Sequence, residues 1–166
     1  MLDLDIIVCG VAEVDDHIDD ADVVVSIMNP GYTVFAPPSI VEKEEENRHR
    51  VLRLEFDDVW AENYELGQEI VTKDMVFLVI DFASTHYENA DNPLTFLIHC
   101  HQGVSRSAGM AIAVYTAILG DYQEAIKRVS GDRDKAVPNI EIIRLTDEIF
   151  NLNGQLINAV WKEFYV

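Results

Sequence analysis

The apolar run Phe96-Leu97-Ile98 stops at His99-Cys100, and six residues after the cysteine Arg106 and Ser107 open a new apolar pattern with helical spacing. Few folds accommodate this stretch other than as a strand, a tight loop and a helix N-terminus. The loop then has a cysteine at one end and an arginine at the other. Its parts suit a bound phosphate dianion. The backbone N–H groups of His101, Gln102, Gly103, Val104, Ser105 and Arg106 can point inward. The helix start adds positive potential, and the Arg106 fork can grip two oxygens. Gly103 has no Cβ to force a neighbouring amide out of line. The same positive field favours Cys100 as a thiolate, the nucleophilic form.

The rest of the chain supplies a scaffold. Asp5 to Gly10, Val23 to Met28, Val51 to Phe56 and Leu94 to His99 read as short strands rich in β-branched residues. Their near-continuous apolar character suits strands covered by helices on both faces. Thr72 caps a predicted helix with apolar residues at Met75, Leu78, Val79 and Phe82. After the loop come an apolar stripe at Ala108, Ala111, Ile112, Tyr115 and Leu119, a stop at Gly120-Asp121, and a short amphipathic segment from Tyr122. Pro138-Asn139 opens another helix, and Asn153-Gly154 precedes the last. The expectation is one α/β domain over residues 1–166. Glu42 to Arg50 is a charge run, read as a solvated helix face or loop.

Thirty acidic residues against 12 basic ones leave a net charge of −18. That surface repels nucleic acid and anionic membrane, so neither is an expected partner. The N-terminus lacks a basic region followed by a long apolar stretch, and no apolar run is long enough to span a bilayer, so a cytoplasmic location is expected. The two cysteines, Cys9 and Cys100, form no CxxC pair and suggest no metal cluster. Cys9 reads as a buried core thiol; alternatively it traps an oxidised Cys100, which requires adjacent strands and close side chains.

Attack on phosphorus by Cys100 needs a general acid for the leaving oxygen. Phe56-Asp57-Asp58-Val59-Trp60 follows a strand end on the rim where the loop should lie. Asp58 is the first candidate and Asp57 the second; Asp81 and Asp91 are nearer in sequence. Ser107 either caps the helix or donates to the Cys100 sulfur and eases its departure as thiolate. His99 either orients the loop or is a strand-end histidine satisfied by backbone. Asn139 is first a helix cap.

The run His99-Cys100-His101-Gln102-Gly103-Val104-Ser105-Arg106-Ser107 resembles the signature of cysteine-dependent protein tyrosine and dual-specificity phosphatases, Cys-x5-Arg-Ser/Thr preceded by His. A small prokaryotic group of predicted tyrosine phosphatases is also similar in Leu52 to Val59, in Val137-Pro138-Asn139 through Leu145, at Asp147 and in Gly154-Gln155-Leu156. The resemblance covers Ile6 to Val160. It implies the tyrosine-phosphatase α/β fold: a short central, mostly parallel sheet flanked by helices, with a helical C-terminal half. It also implies a two-step reaction through phosphocysteine with no metal or other cofactor. The substrate expected is a phosphorylated protein, with phosphotyrosine foremost, or a small phosphomonoester; phosphate, sulfate or vanadate can occupy the loop. A Pro-Asn in dual-specificity phosphatases helps hold the phosphate loop, so Asn139 takes that role by resemblance. In the second Asp of the pair, Asp58, the group's pattern is better matched, although no Trp-Pro-Asp occurs. The readings left beside this one are a dual-specificity or non-protein phosphatase, and an inactive phosphate-binding or protein-docking module.

Overall fold

A computed structural model describes residues 1–165. Four strands, β1 (Leu4–Gly10), β2 (Val23–Met28), β3 (Val51–Glu55) and β4 (Leu94–Cys100), form a parallel sheet in the order β1-β4-β2-β3. The helices are α1 (Val14–His17), α2 (Pro38–Glu46), α3 (Lys73–Glu88), α4 (Arg106–Leu119), α5 (Tyr122–Asp132), α6 (Ile140–Ile149) and α7 (Gln155–Val160). None is long and apolar enough to cross a membrane, among the described residues.

Strand alternation divides the core in two. Ile6, Val8, Val25, Phe96, Ile98 and Cys100 face a large cluster with α3, α4, α5 and α6. Cys9, Val24, Val51 and Leu97 face a smaller one with Val14, Ile18 and Ile40. This alternation decides the fate of Cys9. Its strand does lie beside β4, with Cys9 level with His99 and Gly10 level with Cys100. Cys9 and Cys100 nevertheless project from opposite faces of the sheet, so a disulfide between them would require the backbone to move. Burial, followed by the nearby Glu13 carboxylate, pushes the Cys9 thiol up to about 12, as suits an inert core residue.

Two helical faces depart from the periodicity reading. In α3 the buried residues are Val76, Val79, Ile80 and Ala83, with Met75 and Phe82 partly buried and Leu78 exposed. The stripe is rotated by about one residue, because Ile80 and Val76 are as apolar as the residues chosen. In α4 every residue from Arg106 to Thr116 is buried. This helix is central, enclosed by the sheet and by α3, α5 and α6. A Cβ on Gly109 would already lie 3.2 Å from Ile142 of α6.

The predicted punctuation has a physical counterpart. Thr72 Oγ1 accepts from Met75 N at 3.2 Å, Asp121 Oδ1 accepts from Gln123 N and Glu124 N, and Gly120 ends α4 at φ +67°. Asp147, 5% exposed, accepts from Gly154 N and Leu156 N and so fixes the start of α7.

Candidate active site

The loop 101–105 leaves the C-terminal end of β4, a strand flanked by neighbours on both sides, and runs directly into α4. Its carbonyls are held from behind, one after another. Cys100 O accepts from His99 Nδ1 at 3.1 Å and His101 O from Val11 N at 2.9 Å. Gln102 O and Gly103 O accept from Arg133 Nη2 and Nε at 3.3 and 2.9 Å. Val104 O accepts from Val137 N at 2.8 Å and Ser105 O from Asn139 N at 3.0 Å. All these peptides are trans. In a trans peptide the N–H points away from the C=O. Six tethered carbonyls therefore turn the amides of residues 101 to 106 to the other side, where the pocket lies.

Gly103 adopts φ +68°, and a Cβ there would fall 2.4 Å from the backbone of Cys9 and Gly10. A Cβ on Gly10 would in turn fall 2.9 Å from the Gln102 carbonyl group. The loop can press onto the end of β1 only because both positions lack a side chain.

The pocket holds about 210 Å³, with Cys100, Arg106 and Asp58 all on its wall. Cys100 is 3% exposed and its Sγ lies 3.1 Å from Ser107 Oγ. A hydroxyl there can donate to the sulfur, one of the two roles open to Ser107. Arg106 is 4% exposed. Its Nη1 donates to Asn29 Oδ1 at 2.6 Å and to Phe56 O at 2.8 Å, whereas its buried Nε has no partner in the protein. A buried guanidinium N–H without an acceptor is costly, and a two-oxygen anion on the Nε edge removes that cost.

Asp58 enters the pocket and Asp57 does not. Asp58 Oδ1 accepts from Ser105 Oγ at 2.7 Å and from Asn139 Nδ2 at 2.9 Å, leaving Oδ2 to exchange a proton. Asp57 closes the base of its own loop: its N–H donates to Glu69 O at 2.8 Å and its Oδ2 accepts from Glu69 N at 2.7 Å. Asp57, the second candidate acid, is not among the residues lining the pocket. Asp81 lies on exposed α3 surface and Asp91 in the exposed turn before β4, and neither lines the pocket.

Asn139 does two jobs. Its Oδ1 accepts from Ile142 N at 3.1 Å, capping α6, and its Nδ2 also reaches Val59 O at 3.2 Å. The side chain thus positions Asp58, and the loop itself is held by the Asn139 backbone N–H. His99 is completely buried, and desolvation pushes its imidazole down to about 4. A neutral ring with Nδ1 against a carbonyl must carry its proton there, so Nε2 accepts from Ser26 Oγ at 2.6 Å. His99 holds the first loop carbonyl; it is not placed to exchange protons with substrate.

Sequence reasoning missed three residues. Asn29 begins the turn Asn29-Pro30-Gly31 after β2, and its side chain anchors Arg106. Glu13 and Arg133 are 120 residues apart and pair in two-pronged fashion at 2.6 and 2.8 Å. No local pattern marks either. Tyr32 lines a separate hollow of about 260 Å³ with Met28, Asn29 and His101; the ring of Phe35, 68% exposed, lies 5.5 Å from that of Tyr32 and does not line the hollow. Among the described residues no group of His, Cys, Asp and Glu side chains is arranged to hold a metal ion.

No protein-family model matches the chain, and no curated protein matches it either. Solved structures do. The PTP-2 phosphatase of Cydia pomonella is 23% identical, with 87% of this chain and 84% of that one covered and a TM-score of 0.60. PTPMT1 in complex with PI(5)P is 15% identical over 89% of this chain and 91% of that one, at a TM-score of 0.62. The human tyrosine phosphatase-like serine/threonine/tyrosine-interacting protein is 18% identical over 87% of each chain, at 0.58. The fold is that of the tyrosine and dual-specificity phosphatases.

Proposed function

We propose that the protein hydrolyses phosphate monoesters through a phosphocysteine intermediate and acts on phosphotyrosine in proteins. The observation that carries this reading is the convergence of Cys100, the unpartnered Nε of buried Arg106 and the Asp58 carboxyl on one pocket. In the first step the Cys100 thiolate forms an S–P bond as the ester P–O bond breaks, and Asp58 gives its proton to the leaving oxygen. Charge on the three equatorial oxygens is met by the loop amides and Arg106. In the second step Asp58 takes a proton from water, the water oxygen bonds to phosphorus, and the S–P bond breaks to return thiolate and free phosphate. Ser107 Oγ donates to the departing sulfur.

Two features support a tyrosine phosphoester over a more highly charged substrate. The hollow formed by Met28, Asn29 and Tyr32 shares His101 with the phosphate pocket, so an aromatic stem leaving the pocket has an apolar wall beside it. PTPMT1 has been solved with PI(5)P, but His101, Gln102, Val104 and Ser105 offer no lysine or arginine to a second phosphate. The tyrosine phosphatase-like interacting protein keeps the docking-module reading in view; Asp58, held in the pocket with Cys100 and Arg106, favours turnover.

The test is a phosphatase assay in EDTA on phosphotyrosine and phosphothreonine peptides, with Cys100→Ser and Arg106→Lys alongside the wild type. Expected are turnover of phosphotyrosine in preference to phosphothreonine, no turnover by Cys100→Ser despite retained vanadate binding, and severe loss in Arg106→Lys, which lacks the planar fork. Single-turnover product release by Cys100→Ser would rule out the covalent step. Vanadate binding without turnover of any phosphoester would leave a binding module.

A further inference from the structure

Four of the six tethered loop carbonyls rely on backbone N–H groups or on the adjacent His99 ring. The two at the crown, Gln102 O and Gly103 O, rely on a single side chain, Arg133, which follows the C-terminal end of α5. Its guanidinium is itself held. Nη1 and Nη2 donate to the two oxygens of Glu13 at 2.8 and 2.6 Å, and Glu13 Oε1 accepts from Gly10 N at 3.1 Å. Glu13 closes the short 3-10 turn between β1 and α1, so the pair ties the edge of the sheet, the start of α1 and the end of α5 to one turn of the loop.

We propose that Arg133, locked in place by Glu13, is a positioning residue that aims the amides of Gly103 and Val104 at the phosphoryl oxygens. The inference rests on the phosphatase reading above. The peptide whose oxygen is Gln102 O carries the N–H of Gly103, and the peptide whose oxygen is Gly103 O carries the N–H of Val104. Fixing both oxygens with one rigid fork sets both planes. Gly103 sits at φ +68°, a conformation from which a glycine easily departs when untethered. The site of a Cβ on Gly103 would be 2.5 Å from Arg133 Nη2, so the fork and the missing side chain occupy complementary space. The pair stays ionised through the working range. Hydrogen bonding to Arg133 holds the Glu13 carboxyl down to about 2, and the partnership raises Arg133 further.

Arg133→Lys separates aim from charge, since it keeps a cation behind the loop and loses the fork. Vanadate affinity is measured by calorimetry and kcat/KM on para-nitrophenyl phosphate by absorbance. Partners that orient the ligands of a metal ion usually cost about 10- to 100-fold when removed; Arg133 stands in the same relation to two anion-binding amides, and a fall of that order is expected in both quantities. In ¹⁵N–¹H spectra, addition of inorganic phosphate should shift the Gly103 and Val104 amides in the wild type. Those two shifts should shrink in Arg133→Lys while the shifts of His101 and Ser105 persist. Glu13→Gln should move the same readouts in the same direction by less. Arg144→Met, which breaks an ion pair with Glu141 on α6, should move none of them. Wild-type vanadate affinity and wild-type Gly103 and Val104 shifts in both variants, even with a lowered Tm, would overturn the proposal. If Arg133→Lys does not fold, Glu13→Gln decides alone. A wild-type protein that neither binds vanadate nor turns over a phosphoester overturns the phosphatase reading and this inference with it; an active wild type with unaffected variants overturns this inference only.

Discussion

Asp57 and Asp58 are adjacent carboxylates with different surroundings, and the difference predicts kinetics. Asp58 meets Ser105 and Asn139 at the pocket, whereas Asp57 is tied to Glu69. Asp58→Asn should lower kcat by about 10²- to 10⁴-fold, the usual contribution of a positioned acid and base. Asp57→Asn should leave kcat within a few-fold of wild type and act, if at all, on the loop it closes. Equal losses in the two variants would remove the assignment. His99 yields a prediction for stability. The folded imidazole titrates at about 4 against an unfolded 6.5. Between those values the unfolded chain binds the proton and the folded one does not. The His99 contribution is therefore complete above pH 6.5 and is lost as the pH falls toward 4, amounting to roughly 3 kcal/mol at 1.36 kcal/mol per pH unit. Urea unfolding across that window should show the loss in wild type and a flatter profile in His99→Gln.

At the scale of elements, β1 is an edge strand that is not left open. Tyr115 of α4, 1% exposed, accepts from Ile6 N at 2.9 Å through its hydroxyl, and Arg128 Nη1 donates to Leu4 O at 3.1 Å. Burial pushes the Tyr115 hydroxyl up to about 12, so it remains neutral. Arg128 lies 5.3 Å from the Tyr115 ring centre and covers it. Covering an edge in this way prevents pairing with another chain. Tyr115→Phe leaves the Ile6 N–H buried without its partner and should cost about 1–3 kcal/mol. The decrease would be read from the urea midpoint; an unchanged midpoint would mean that water replaces the hydroxyl. The same helix shows the limit of periodicity. Ala108, Ala111, Ile112 and Tyr115 are buried as their spacing predicts, but so are Arg106 and Thr116, because α4 has neighbours on every side.

Over the whole molecule, a net charge of −18 surrounds a pocket built for an anion. The local field at the loop comes from amides, a helix start and Arg106, and acts over a few ångströms; the surface charge acts over the screening length. Raising ionic strength from about 0.01 to 0.1 M shortens that length from ~30 to ~10 Å. kcat/KM on an acidic phosphotyrosine peptide should therefore rise with salt, and on a basic one fall. A salt response with the same sign for both peptides would show that long-range charge does not steer substrate here.

By itself the sequence determined the parts whose information is local. The strand, loop and helix around Cys100 and Arg106 follow from apolar runs, a glycine and the spacing of two side chains. The caps at Thr72 and Asn139 follow from side chains that bond to amides three positions away. Tertiary structure alone decided which carboxylate reaches the pocket, since Asp57 and Asp58 differ only in what the folded chain brings beside them. It also separated Cys9 from Cys100, adjacent in strand register but on opposite faces of the sheet. Asn29, Glu13 and Arg133 belong with this second group. Their roles consist of contacts across 77 and 120 residues of chain, and the Glu13–Arg133 pair has no separation-dependent pattern that a linear reading can detect. A loop that must present six amides inward needs its carbonyls held outward, and the groups that hold them come from wherever the fold places a donor.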